Sequence, residues 1–167
     1  MNITTSSKLP RPPGPLLVSL TFRPAWAYID GIREFGRFFC ETTFKQAGVA
    51  ERARVVLQET LENAIKYSSA TEDSKLELEI ASDGCELYIS TLSHADPAHL
   101  ESLREEIEML HRFDPEAAFI AAFARAARTP GGPARLGLAR MRYETQFELS
   151  VSEEADGNVR VIAVGKL

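Results

Sequence analysis

The chain has 167 residues, 44% of them hydrophobic, and a net charge of −5, which suits one domain with a real core and, with no basic stripe, excludes nucleic acid as the main partner. Cys40 and Cys85 stand far apart without metal-ligand spacing, so they read as two buried thiols in a reducing cytosol rather than a disulfide or a zinc pair. No apolar run reaches membrane-spanning length and no signal core opens the chain, so the expected location is the cytoplasm, off the membrane.

Residues 1–15 carry four prolines, which oppose helix and central strand alike, and read as a flexible leader to a single domain over 16–167. Leu16–Phe22 is β-type and ends before Arg23-Pro24, a first strand. Pro24 suits the first turn of a helix running to about Gln46, whose Trp26, Ile29, Phe35, Phe38 and Phe39 are expected to pack in the core. Gly48 is expected to close that helix, and Val49–Ser69 to form a second one. After a polar turn over Ser68–Ser74, Lys75–Ile80 alternates with period two, Asp83-Gly84 signals a hairpin, and Glu86–Thr91 returns as the partner strand.

Asp96 and Asp114 precede Pro97 and Pro115, an N-cap followed by proline in the first turn. They open helices over Pro97–His111, with Glu101, Glu105, Glu106 and Glu108 on a solvated face, and from Pro115 to about Ala127. Met109, Leu110, Phe113, Phe119 and Phe123 are expected in the core or a helical interface. A loop over Thr129–Pro133 leads to a short helix over Ala134–Tyr143. Gln146–Ser152 and Val159–Val164, joined at Asp156-Gly157-Asn158, form a closing hairpin. The order predicts an α+β fold: a two-layer sandwich with a mixed, mostly antiparallel sheet and helices on one face.

Two constellations carry chemistry. Glu59 and Asn63 lie four apart, so they stack on one stripe of the second helix. The pair reads either as a solvated polar face or as a site where the Asn oxygen holds hydrated Mg²⁺ and the Glu orients a water or hydroxyl. Further on, Gly131-Gly132-Pro133-Ala134-Arg135-Leu136-Gly137-Leu138 joins a loop to a helix. It reads either as a plain glycine-rich turn or as backbone opened to a phosphate. His94, His99 and His111 do not share a helix face and are expected in solvent rather than on zinc.

Glu59-x-x-x-Asn63-Ala64-x-Lys66-Tyr67-Ser68 resembles the N-box of the GHKL ATPases, which include histidine kinases, gyrase-type ATPases and anti-sigma-factor kinases. The Gly131–Arg140 segment resembles the last glycine box of the same superfamily, which follows its ATP lid. The resemblance implies that Glu59 is the catalytic base or water-orienter, Asn63 the Mg²⁺ ligand, and Lys66 a phosphate-facing charge. Gly131, Gly132 and Gly137 would lie along the phosphates of ATP, and Arg135 would pair with phosphate or with Glu59.

The match departs at the adenine motif and the lid, and Arg135 stands where the last glycine box has its inner glycine. Where the superfamily carries Asp-x-Gly-x-Gly for adenine, this chain has Tyr88-Ile89-Ser90-Thr91-Leu92-Ser93-His94-Ala95-Asp96, and two helices follow. That pattern is similar to the SiaB-type regulators of bacterial partner switching. It implies a signalling module with weakened or lost ATP binding, docked to an anti-sigma-antagonist-like domain or to a second copy of itself. The alternative it implies is an active Mg-ATP-dependent serine protein kinase. Outside the resemblance stands a structural adaptor whose N-box match is chance.

Overall fold

The computed structural model describes residues 14–68, 74–128, 136–154 and 157–167. Its strands are β1 (Leu16–Phe22), β2 (Leu76–Ser82), β3 (Glu86–His94), β4 (Glu148–Glu153) and β5 (Asn158–Lys166). Its helices are α1 (Ile29–Phe44), α2 (Ala47–Tyr67), α3 (Pro97–His111), α4 (Pro115–Ala126) and α5 (Gly137–Thr145). The sheet order is β1-β2-β3-β5-β4, and every neighbouring pair is antiparallel. The α+β two-layer reading therefore stands, whereas the expected parallel component is absent among the described strands. Three helices carry the chain from β3 to the far edge, and β5 then folds back beside β3 running opposite to it.

Alternation along the strands splits the sheet into two unlike faces. Leu76, Leu78, Ile80 and Ile89 are fully buried under the helices, and Ile80 pairs with Ile89, which pairs with Ala163. Full burial of each such aliphatic side chain contributes roughly 1.5–3 kcal/mol. The other face carries Glu79, Ser90 and Arg160, where Arg160 donates to Glu79 at 2.8 Å and to Ser90 at 3.2 Å. Arg160 also reaches Glu154 at 3.1 Å.

Helix α2 is the spine of the helical layer, burying Val56, Leu57, Leu61, Ala64 and Ile65. Helix α1 lies close against it because Gly36 has no side chain: a Cβ there would fall 2.2 Å from Leu57 Cδ1. The buried residues of α1 are Ile29, Gly36 and Cys40. Phe38, two residues from both Gly36 and Cys40, points about 200° away from that stripe. It is 63% exposed, and Trp26 is 60% exposed, so the expected aromatic core face of α1 is largely a surface. Phe35 is exposed too, while Ile29 is buried and Phe39 packs against the core as expected.

Local signals fixed some boundaries and missed others. Asp96 and Asp114 cap their helices, accepting from the backbone N–H of Ala98 and Ala117. The acidic face of α3 is turned outward, with Glu101, Glu105 and Glu108 exposed. Pro24 does not open α1, since a 3-10 turn at Trp26–Tyr28 intervenes. Gly48 lies inside α2, and α1 instead ends at Lys45, left-handed at φ 55°, whose N–H reaches Glu41 O. Cys85 is exposed rather than buried, because β2 runs on to Ser82 and the hairpin turn takes Asp83, Gly84 and Cys85. Gly84 supplies the positive φ of 92° that the turn needs, and the Asp83 carboxylate accepts from the N–H groups of Cys85 and Glu86.

The α3–α4 junction is fastened by Arg142, a buried guanidinium from α5. It donates to Leu110 O at 2.6 Å and Phe113 O at 3.0 Å, and forks onto Glu148 at 3.1 and 3.0 Å. Phe119 stacks on Tyr143 at 5.2 Å, so α4 and α5 share a second contact. Phe113 and Phe123, expected in the core or a helical interface, are exposed, while Leu110 is buried and Phe119 is partly so. Among the described residues no helix is long and apolar enough to cross a membrane.

Burial pushes the Cys40 thiol up to about 11, so its thiolate is scarce near neutrality, whereas Cys85 stands in solvent. A thiol-labelling time course on the native protein at pH 8 should show one fast-reacting cysteine, Cys85. Cys40 should react only at the rate of global opening, and fast labelling at both would contradict this burial.

Candidate functional site

The helical rise that buries one face of α2 turns Glu59, Asn63 and Lys66 along another. All three line one open cleft of about 660 Å³ between α2, α4 and the start of α5. Gln58 and Glu62 add a second row, with Gln58 donating to Glu62 at 3.0 Å. Phe119 and Phe123 of α4 line it, as does Trp26 from the turn before α1. Leu136, Gly137 and Arg140 complete the lining. The sequence thus brings Glu59, Asn63, Lys66 and Gly137 together, whereas Gly131, Gly132 and Arg135 lie outside the described residues.

The acid at the floor is not free. The Glu59 side chain is 8% exposed and accepts a 2.5 Å hydrogen bond from Arg140 Nη2. Its second oxygen lies against the first turn of α5, where a Cβ on Gly137 would stand 2.2 Å from Glu59 Oε2. Gly137 is therefore small for a steric reason: the chain must pass a buried carboxylate. Burial is the main cause that holds the Glu59 carboxyl above the usual carboxylate range, with Arg140 pulling against it and Glu62 and Glu144 adding to it. Arg140 itself is 46% exposed, and its Nε stands 3.8 Å from Glu144.

Arg140 is the partner that residue patterning missed. It sits three residues after Gly137, so both face the same side of α5. That spacing was available in the sequence as the signal. The aromatic wall left no such signal, because an i, i+4 pair such as Phe119 and Phe123 looks the same in a core and beside a cleft. Lys66 is exposed at the cleft edge with its Nζ 5.0 Å from the Tyr67 ring centre.

The other half of a nucleotide site would lie past Asn63, beside the end of β3, where the resemblance puts adenine. There the space between α2, β3 and α3 is occupied. Leu100 and Leu103 of α3 pack with Val159 and Val161 of β5. A void of about 30 Å³ remains, lined also by Asn63, Thr91 and Ser93. The rings of Tyr67 and His99 stand 5.0 Å apart at its wall. That space suits about one or two waters rather than a purine.

The chain matches no protein-family model and no curated protein. Among solved structures it is similar to a chain in the crystal structure of the SiaB–SiaC complex from Pseudomonas aeruginosa. The TM-score is 0.68 at 19% sequence identity, over 91% of this chain and 91% of that one. The likeness is one of fold.

Two outcomes test the floor of the cleft. Gly137→Ala should destabilise the protein by about 1–3 kcal/mol in urea unfolding, despite alanine's better helix propensity, because the new methyl collides with a buried acid. Gly31→Ala, in open space on α1, should instead stabilise by roughly 0.5–1 kcal/mol. Glu59 has a raised folded-state pKa, so its favourable contribution is complete below the unfolded carboxylate range and is lost as pH climbs through the folded value. Glu59→Gln, which does not titrate, should therefore gain on the wild type between pH 4 and pH 7 in paired urea titrations. A constant difference across that window would contradict the assignment.

Proposed function

We propose that this chain is a GHKL-derived regulatory protein of a SiaB-like partner switch, working as a protein-binding module whose nucleotide binding is weakened or lost. The observation that carries this reading is the occupied base room beside β3, together with the Arg140 bond that ties up Glu59. The fold likeness to a chain of the SiaB–SiaC complex supports the partner-switching context. The partner in this reading is a small anti-sigma-antagonist-like domain. The exposed aromatic side chains Trp26, Phe38 and Phe123 give such a partner, or a second copy, apolar surface to cover.

The second reading is an Mg-ATP-dependent serine protein kinase, favoured by one specific observation: Glu59, Asn63, Lys66 and Gly137 all line the same cleft. In that case Asn63 would hold Mg²⁺ against the phosphates, and Lys66 would face them. Glu59, once parted from Arg140, would accept the proton of the attacking serine hydroxyl. Mg²⁺-bound ATP would supply the phosphoryl group.

Thermal melting with and without 1 mM Mg-ATP separates the two. A ligand at about a hundred times its Kd adds roughly 2.7 kcal/mol, on the order of 5–10 °C for a chain of this size. The binding-module reading expects a shift within about 1 °C, well inside that scale. A rise of several degrees would overturn it in favour of the kinase.

A further inference from the structure

An open sheet ends in two edge strands, and each edge offers a row of backbone N–H and C=O groups to whatever approaches. Here the edges are β1 and β4. Strand β4 is guarded by charge. Glutamates stand at both its ends, Glu148 held by Arg142 at 3.0 Å and Glu153 by Arg104 of α3 at 3.1 Å. Strand β1 has no charged residue and no proline over Leu16–Phe22, two of the devices that keep an edge from pairing. Its register on β2 shifts between Leu16 and Val18 and is regular over Val18–Phe22. Among the described strands, β2 is its only neighbour.

That regular stretch, Val18-Ser19-Leu20-Thr21-Phe22, has the same character read in either direction. Val18, Leu20 and Phe22 are half-buried against the core, while Ser19 and Thr21 are exposed on the other face. A second copy laid antiparallel along it, with a two-fold axis through Leu20, sets Val18 opposite Phe22, Ser19 opposite Thr21, and Leu20 opposite itself. β-Branched with aromatic and hydroxyl with hydroxyl are favourable antiparallel pairs, and no charge opposes its like. Both helical layers then lie on one side of the joined sheet. The apolar row also continues past the strand, since Phe22 meets the exposed Tyr28 edge to face at 6.3 Å.

We propose that β1 is the dimerisation edge of this protein: two copies pair their β1 strands antiparallel around Leu20 and join two five-stranded sheets into one of ten strands. The occupant is a second copy because the edge matches itself on both faces and in charge, which a foreign strand would have to reproduce. None of Leu16–Phe22 lines the cleft, so this interface goes beyond the partner-switch reading and does not depend on it.

Sedimentation equilibrium of the full chain, from low to high micromolar concentration, should show a monomer–dimer equilibrium. Amide exchange over Val18–Phe22 should slow as the dimer fills. Ser19→Lys/Thr21→Lys sets lysine opposite lysine twice across the axis, whereas Ser19→Lys/Thr21→Glu sets lysine opposite glutamate twice. Both positions are exposed, beside Glu79 and Glu77 of β2, and circular dichroism melts establish that each variant is folded. The first variant should dimerise at least about tenfold more weakly than the second, because like charges directly opposite destabilise a strand pair and unlike charges support it. A monomer at every concentration overturns the proposal and leaves the partner-switch reading intact, as does a β1 that pairs only with another protein's strand. A dimer of equal strength in both folded variants also overturns it, since the contact then lies elsewhere. Loss of the dimer in the lysine–glutamate variant overturns the pairing around Leu20.

Discussion

Burying the Glu59 carboxylate on α2 sets the terms for everything around it. A charged group with 8% of its side chain in water loses hydration, and the arginine opposite offsets that loss only by sitting close and staying there. The backbone of α5 must then begin beside the acid, which leaves Gly137 no room for a side chain. Arg140, one turn later, is held over the same carboxylate. Position, residue size and charge across the cleft all follow from that single buried acid.

The same helix that supplies Arg140 also supplies Arg142, and the two point in opposite directions. One reaches α2 and the cleft, and the other reaches the carbonyl oxygens at the α3–α4 junction. Helix α5 is therefore a short rigid link between the floor of the cleft and the helical pair inserted after β3. The stacking of Phe119 on Tyr143 reinforces that link.

Much of this was legible in the residues. Period-two alternation found the strands, the Asp-Pro pairs found the starts of α3 and α4, and the Glu59–Asn63 stripe found the cleft. Legibility failed where geometry depends on distant chain segments. Arg140 pairs with a residue 81 positions away, and its spacing from Gly137 put both on one side of α5 without saying which acid that side meets. The aromatic residues of α1 and α4 misled for a related reason. Hydrophobicity says that a side chain gains by leaving water, but which neighbour covers it is decided by the whole fold. Lys45 ended α1 in place of the nearby glycine because a lysine tolerated φ 55°, a conformation that propensity assigns to glycine.

The helix-free face of the sheet has its own consequence. Arg160 threads Glu79, Ser90 and Glu154 into one polar lattice across β2, β3 and β5. A greasy layer laid over that lattice would have to strip several charges of their hydration at once. Around Arg160, whatever covers this face has to bring polar partners for those charges.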